Sequence, residues 1–404
     1  MTDQFDYDVI IAGGGPAGAS TAIHLTTGGA RVLLVEKNKF PRAKLCGEFI
    51  SPECVLHFER LGVADRMLDA GPAQLTETVF YSRKGNNATV PSAWFGASGV
   101  ALGLSRAEMD EQLLRRASDA GAQVLEDAHV ADLLLEKGRV VGLSVKRDGV
   151  EASYRAAVTI DATGRTRALA RRVGPPRNKA KSHRASLVAF KAHLENARVG
   201  PGACEIYFYR GGYGGLSSIE KGLSNLCFIA SARGVRECGA DAERVMREVV
   251  CQNRRAAYAL AGAHTLTPWL AVSLEGFGRH TVTPTAGLLS IGDAASFIDP
   301  FTGSGMLMAL ESGELAARVI GDHMPVIRSG TGLAELESSY RAAYQKKFHS
   351  RLSICSLMRR AAFVPGLAQL AIRVFGASDH LRHRVSRATR GTPQGNLMSP
   401  PAFK

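Results

Sequence analysis

Gly13-Gly14-Gly15-Pro16-Ala17-Gly18 places glycine at all three positions of a G-x-G-x-x-G spacing, between an apolar run and a stretch with helical periodicity. Residues of this type at this spacing bind anions. Gly13 permits a tight turn, Gly15 lets backbone N–H groups approach a pyrophosphate, and Gly18 lets helix and strand pack closely. Pro16 and Ala17 open a helix whose N-terminus stabilises phosphate charge. Glu36 stands eighteen residues after Gly18, at the end of the next apolar run, and Lys37 follows it at the same site. A carboxylate there accepts hydrogen bonds from both hydroxyls of a ribose and disfavours a 2′-phosphate.

Two more acid-glycine turns follow. Val158-Thr-Ile-Asp161 runs into Ala162-Thr163-Gly164-Arg165, and Leu288-Leu-Ser-Ile runs into Gly292-Asp293-Ala-Ala. The second is followed by Gly303-Ser304-Gly305-Met306 and a helix rich in small residues, which offers another helix N-terminus to negative charge. An anionic reduced flavin held over it would be stabilised, and Asp293 would accept from ribityl hydroxyls. FAD is therefore the expected cofactor. The chain has a single full dinucleotide fingerprint, so NAD(P)H, if used, visits as a transient reductant.

The order of the three motifs, spaced by about 150 and about 130 residues, resembles the FAD-dependent family of geranylgeranyl reductases, aromatic hydroxylases and flavin-dependent halogenases. The resemblance covers roughly residues 6–320 and is strongest to the geranylgeranyl reductase branch. Phe40-Pro41-Arg42-Ala43-Lys44-Leu45-Cys46-Gly47-Glu48 is similar to the segment that branch places beside its flavin, which implies cofactor contacts from Arg42, Cys46 and Gly47. The resemblance also implies a contact from Arg106 to the flavin's phosphate or ribityl chain, the alternative being an ordinary surface arginine. It further implies a backbone contact from Val130 to the adenine, and cofactor contacts from Asp161 and Gly164. Three departures stand out. Ser296 follows Gly-Asp-Ala-Ala where hydroxylases usually have His, Trp94 and Trp269 stand alone rather than in a halogenase Trp-x-Trp, and no proline follows Gly212–Ser217.

Cys46 and Glu48 are the candidate catalytic residues. A lone cysteine is most often a small hydrophobe, but beside Lys44 and a glycine turn a thiol can be acidified and lie at the flavin edge. Glu48 reads either as a general acid or as a cap on a nearby helix. No Ser/His/Asp order or metal-ligand spacing appears, and the histidines, His193 among them, are isolated.

These groups need a scaffold. Asp8–Ala12, Arg31–Glu36, Gln123–Leu125 and Val158–Asp161 read as strands, and Ala17–Gly28 and Arg106–Ala120 as helices. Residues 76–103 and 185–232 alternate like strands, 241–261 read as one helix, and the chain is helical from about 303 to 388. The fold class is α/β. An FAD-binding Rossmann-like three-layer domain (1–75, 104–170 and 281–330) receives an inserted antiparallel β-sheet substrate domain (76–103 and 171–280). A basic helical region (331–404) follows.

The chain has 404 residues, 45% of them hydrophobic, which suits a globular protein with a large core. Seven scattered cysteines without a C-x-x-C pair argue against a disulfide framework or zinc site and for a reducing, cytoplasmic setting. Of the net charge of +13, residues 341–404 carry +11, from twelve Lys/Arg and one acid. No nucleic-acid module accompanies it. The basic region suits an anionic membrane surface, such as the inner face of a membrane, or an acidic carrier protein; the alternative is a solvated helix. The expected function is FAD-dependent redox chemistry on an extended apolar small molecule (a prenyl lipid, a polyketide or another secondary metabolite), by hydride reduction of a C=C bond. The alternatives are monooxygenation of an aromatic or polyketide substrate, and a flavin-binding electron-transfer partner without turnover.

Overall fold

The computed structural model describes residues 5–95, 98–174, 187–275, 277–299, 303–362, 372–373 and 378–388. A parallel sheet forms its first layer. Strands Gln123–Leu125, Val32–Val35, Tyr7–Ala12, Val150–Asp161 and Leu288–Ser290 lie side by side in that order. The register pairs Ala12 with Val35 and with Asp161, and Asp161 with Ser290. Carboxyl ends of all these strands therefore finish along one edge, where open α/β sheets bind ligands.

Helix Pro16–Thr27 lies behind this sheet and is buried almost all round at Pro16 to Ile23 and at Leu25. Its small residues allow that. A Cβ on Gly313 of helix Gly305–Asp322 would come within 2.6 Å of the Ala17 carbonyl oxygen, so the two helices cross nearly backbone to backbone. Arg106–Asp119 packs beside them and buries Met109, Leu113, Leu114 and Ala117 at helical spacing. On the other face, His129–Glu136 and Arg139–Arg147 form an antiparallel meander with the first half of Val150–Asp161.

A second sheet has eight strands. It runs from His264–Thr265 through Leu187–Glu195, Ser224–Ser231, Gly212–Ser218, Ala203–Tyr209 and Glu77–Tyr81 to Asn87–Pro91, with Leu270–Leu274 also paired to Leu187–Glu195. Its strands alternate cleanly between two buried faces. Phe190, Tyr207, Phe228 and Ala230 pack under three short helices, whereas Ala189, Phe208, Ile229 and Leu274 face the FAD-side layer. Ala101–Gly103, expected with this sheet, instead pairs with Phe49–Ile50 and Ala73–Leu75 in a small sheet of its own.

The single helix expected over 241–261 is two, Ala242–Glu248 and Arg254–Leu260. Asn253 divides them. Fully buried, it donates through Nδ2 to the carbonyls of Tyr81, Ser82 and Phe208 and caps the second helix by accepting from the Arg255 and Ala256 amides.

Helix Leu333–Ala362 carries much of the basic region, yet Leu336, Tyr340, Tyr344, Phe348 and Leu352 are buried against the FAD-side core. The apolar side of that helix is thus occupied as far as Leu352, while Leu357 beyond it is 68% exposed. Phe363, Leu367, Leu370, Val374 and Phe375, part of the same apolar pattern, lie outside the described residues. Among the described residues no helix is long and apolar enough to cross a membrane.

Candidate cofactor and active site

The glycine turn divides its labour as the spacing demands. Gly13 has φ +110°, and a Cβ there would sit 2.4 Å from the Ala162 oxygen; a Cβ on Gly18 would sit 1.9 Å from the Gly13 oxygen. Both positions are closed by backbone. Gly15 differs, because a Cβ there would meet only Arg42 Nη2 at 3.8 Å and Arg106 Nη2 at 4.0 Å. Its exposed backbone at the helix N-terminus faces two guanidinium groups across a gap.

Those guanidinium groups are aimed by one acid. Arg106 donates to both oxygens of fully buried Asp110, at 2.8 and 2.7 Å, and Arg42 Nη1 lies 3.3 Å from Asp110 Oδ2. Burial works against the Arg106 charge, but Asp110 and the neighbouring Cys46 sulfur more than offset it and hold its pKa above the ordinary guanidinium range. Arg42 Nε and Nη1 are buried without a hydrogen-bond partner. Buried donors of this kind are costly unless a ligand accepts from them. Glu36 accepts from the Gly14 amide at 2.8 Å and from the Asn38 amide and side chain at 3.0 and 3.1 Å, and still lines the cavity.

That cavity has a volume of about 900 Å³ and runs along the carboxyl edge of the parallel sheet and out over the inner face of the second sheet. Gly13, Gly15, Pro16, Ala17, Glu36, Lys37, Arg42, Cys46, Gly47, Glu48, Arg106, Val130, Gly164, Gly292, Asp293, Gly303, Gly305 and Met306 all line it. Of the residues expected at the cofactor, Gly18, Asp161 and Ser304 do not. Gly18 serves the helix–strand contact alone. The Asp161 carboxylate points away from the cavity and ties off its own turn, accepting from the Thr163 amide and hydroxyl and from the Leu169 and Ala170 amides. Ser304 is buried at the N-cap of helix Gly305–Asp322.

The surroundings of Glu48 favour its ionised form and oppose a general-acid role. Burial would raise its pKa, but His193, Lys191 and the Arg106 amide outweigh burial and lower it, so the group is an ionised carboxylate at neutral pH. The capping alternative describes it better, since Oε1 accepts from the Arg106 amide at the start of helix Arg106–Asp119, at 2.8 Å. Lys191 Nζ lies 2.8 Å from the same oxygen and His193 Nε2 lies 2.7 Å from the other. Neither partner was singled out as a site residue by the sequence. A signal existed: in strand Leu187–Glu195 the residues 187, 189, 191 and 193 share one face, and that face ends in Lys and His.

Lys44 was also missed as a site residue. By surface area it is exposed, but the surface it exposes is the cavity wall. Burial, reinforced by Arg106 and Arg42, draws its ammonium down to about 8. Asp293 faces the same space, and burial raises its carboxyl while Lys44, Arg106 and Arg165 pull it back only in part. The far half of the cavity is apolar, walled by Phe80, Val90, Phe95, Ile206, Phe208, Ile229, Leu270, Leu274 and Phe297.

A family described as an FAD binding domain matches residues 6–324. The chain belongs to that family. It is similar to a menaquinone reductase of Mycolicibacterium smegmatis, at 26% identity over 90% of this chain and 86% of that one. A digeranylgeranylglycerophospholipid reductase of Methanocella arvoryzae is 26% identical over 83% of this chain and 82% of its own. Among solved structures, a flavin-dependent brominase superposes with a TM-score of 0.76 at 20% identity, covering 98% of this chain and 97% of that chain. A geranylgeranyl bacteriochlorophyll reductase-like protein of Thermoplasma acidophilum gives 0.74 at 20% identity, covering 92% of each. The expected superfamily of geranylgeranyl reductases, hydroxylases and halogenases is the right one, and the chain is an FAD-dependent oxidoreductase. Its residues fit FAD: the Arg42 donors, ion-paired but without a hydrogen bond, and the open space over Gly15 suit a pyrophosphate, and Glu36 has acceptor capacity left for a ribose.

Proposed function

We propose that this enzyme reduces a C=C bond in an extended apolar molecule of the prenyl-lipid kind. The observation that carries this reading is the continuity of one cavity from the Gly15 and Asp293 turns, past Cys46, onto a wall of aromatic and branched aliphatic side chains. Two relatives support it. Menaquinone and digeranylgeranylglycerophospholipid, named for the reductases described above, both carry isoprenoid chains.

FAD, once bound and reduced, would supply the hydride. Arg42, Arg106 and the amides of the glycine turn would hold its pyrophosphate, and Glu36 its adenosine ribose. The apolar wall aligns the chain of the substrate and excludes water from the reacting carbons. Cys46, in the wall between the two halves, donates the proton that completes the reduction, and its sulfur keeps the electron pair beside the Arg106 guanidinium. NAD(P)H acts as a transient electron donor. The basic region brings the enzyme to the anionic cytoplasmic face of a membrane, from which such a substrate is delivered.

The test is anaerobic mixing of the chemically reduced enzyme with geranylgeranyl lipids that carry no quinone ring, followed by flavin absorbance. Rapid reoxidation without oxygen is the expected result. Reoxidation only on admitting O₂, with an oxygenated product, would favour a monooxygenase and overturn the reductase reading; no substrate-dependent reoxidation under either condition would leave an electron-transfer protein.

A further inference from the structure

We propose that Lys191 and His193 of the substrate sheet are positioning residues that set the place and charge environment of the Cys46 thiol through Glu48. The inference rests on the reading of Cys46 as proton donor for its catalytic meaning, but not for its geometry.

The turn that carries Cys46 is held at both ends by the second sheet. At its start, Asn225 Nδ2 donates to the Cys46 carbonyl at 3.2 Å. At its end, the Glu48 carboxylate accepts from Lys191 at 2.8 Å and from His193 at 2.7 Å. His193 and Asn225 are cross-strand partners, so both grips come from one row of the sheet. Between them a Cβ built on Gly47 would meet nothing within 4 Å, so the apex of the turn borders open space.

Glu48 also adopts φ +52°, a left-handed conformation that a side chain disfavours. That conformation lets its amide point back at the thiol, 3.4 Å from Cys46 Sγ. The carboxylate anchors thus hold a strained backbone, and the strained backbone presents a donor to the sulfur. Glu48 is 0% exposed and Lys191 3% exposed, so the pair is shielded from solvent screening and its charges act on their surroundings at nearly full strength. Asn225 Oδ1, in the same row, is buried without a hydrogen-bond partner.

Two single substitutions change the charge near the sulfur in opposite senses. Lys191→Met removes the ammonium and leaves the carboxylate with only His193 and the Arg106 amide, which disfavours negative charge on the nearby sulfur. Glu48→Gln keeps the shape, leaves the ammonium uncompensated and favours a thiolate. The experiment is iodoacetamide alkylation of the FAD-loaded protein at neutral pH, with Cys46 resolved from the other cysteines by peptide mass spectrometry. Alkylation of Cys46 is expected to slow several-fold in Lys191→Met and to quicken several-fold in Glu48→Gln, with Lys191→Arg restoring the wild-type rate. General loosening of the turn would move both variants the same way. A change in the same direction, or an unchanged rate in either FAD-loaded variant, would overturn the proposal. Should Lys191→Met not retain FAD, the pH dependence of alkylation in Glu48→Gln decides. A charge effect moves its midpoint to lower pH, whereas an unmoved midpoint with a rate raised alike at every pH means loosening and overturns the proposal. If the alkylation pattern holds while Cys46→Ala turns over normally, the positioning stands and the role of Cys46 as proton donor fails.

Discussion

Gly15 separates cofactor binding from folding more sharply than any other position in the turn. Its backbone is extended, with φ −71° and ψ −177°, so any residue can adopt it. A methyl group there meets only the tips of Arg42 and Arg106, at 3.8 and 4.0 Å. Alanine is a poorer N-cap than glycine but stiffens the unfolded chain; these terms oppose, and the FAD-free protein is expected to change by no more than about 1 kcal/mol. The bound cofactor meets a different situation. Phosphate oxygens must come within about 3 Å of the backbone N–H groups, and the methyl occupies that gap. Overfilling a packed site costs about 1–3 kcal/mol, which is roughly a five- to hundredfold loss of FAD affinity for Gly15→Ala and a larger one for Gly15→Val. Gly18→Ala should behave in the opposite way, because its Cβ would lie 1.9 Å from a backbone oxygen and so disturb the fold itself. Thermal melting of the FAD-free proteins, with fluorescence titration of FAD, measures both quantities. A folded Gly15→Val protein that binds stoichiometric FAD at wild-type affinity would refute the placement of the pyrophosphate.

Two further outcomes concern the same site and a third the basic C-terminal region. Lys44 in the FAD-free protein loses its proton near pH 8, below the ordinary lysine range, while bound phosphate favours the charged form. FAD affinity should therefore be flat below about pH 7 and fall by at most about tenfold per pH unit above 8; titrations from neutral to alkaline pH check this, and a pH-dependence unchanged in Lys44→Met would exclude Lys44 as its source. Cys46→Ala should keep FAD but lose about 10²-fold or more in turnover, the usual scale for a proton donor, and full activity would make the cysteine a wall residue only. The intact protein should co-sediment with anionic but not neutral liposomes at low salt and release at high salt, each basic residue at the surface contributing about 1 kcal/mol. Indifference to anionic vesicles at low salt would remove the membrane from the account and turn attention to an acidic carrier protein.

The glycine turn and Glu36 were legible because their demands are local: a positive φ, a close backbone approach, and a carboxylate at a strand end. Asp161 shows the limit of such patterns. An acid at the end of a parallel strand looks the same whether it faces a ligand or, as here, ties off its own turn. Glu48 was ambiguous because its partners lie 143 and 145 residues away, and only the docking of the two sheets decides between acid and cap. Asn253 broke an otherwise helical stretch through hydrogen bonds to strands far away in sequence. The basic helix near the C-terminus could be read either as docking on an anionic partner or as packed on the core with its charges solvated, because composition does not say what its apolar side meets; Tyr340, Phe348 and Leu352 tie that side to the core.

The most direct test of a reductase acting on an isoprenoid chain is the product of one anaerobic turnover. Fully reduced, FAD-loaded enzyme is mixed with one equivalent of a geranylgeranyl lipid without a quinone ring in D₂O, and the lipid is analysed by mass spectrometry against the amount of flavin reoxidised. The expected product has gained two hydrogens across one C=C bond for each flavin oxidised, with solvent deuterium retained on carbon, because both the proton donor and the exchangeable N–H of the reduced flavin equilibrate with D₂O. Unaltered lipid beside reoxidised flavin, or a product carrying oxygen once air is admitted, would contradict it.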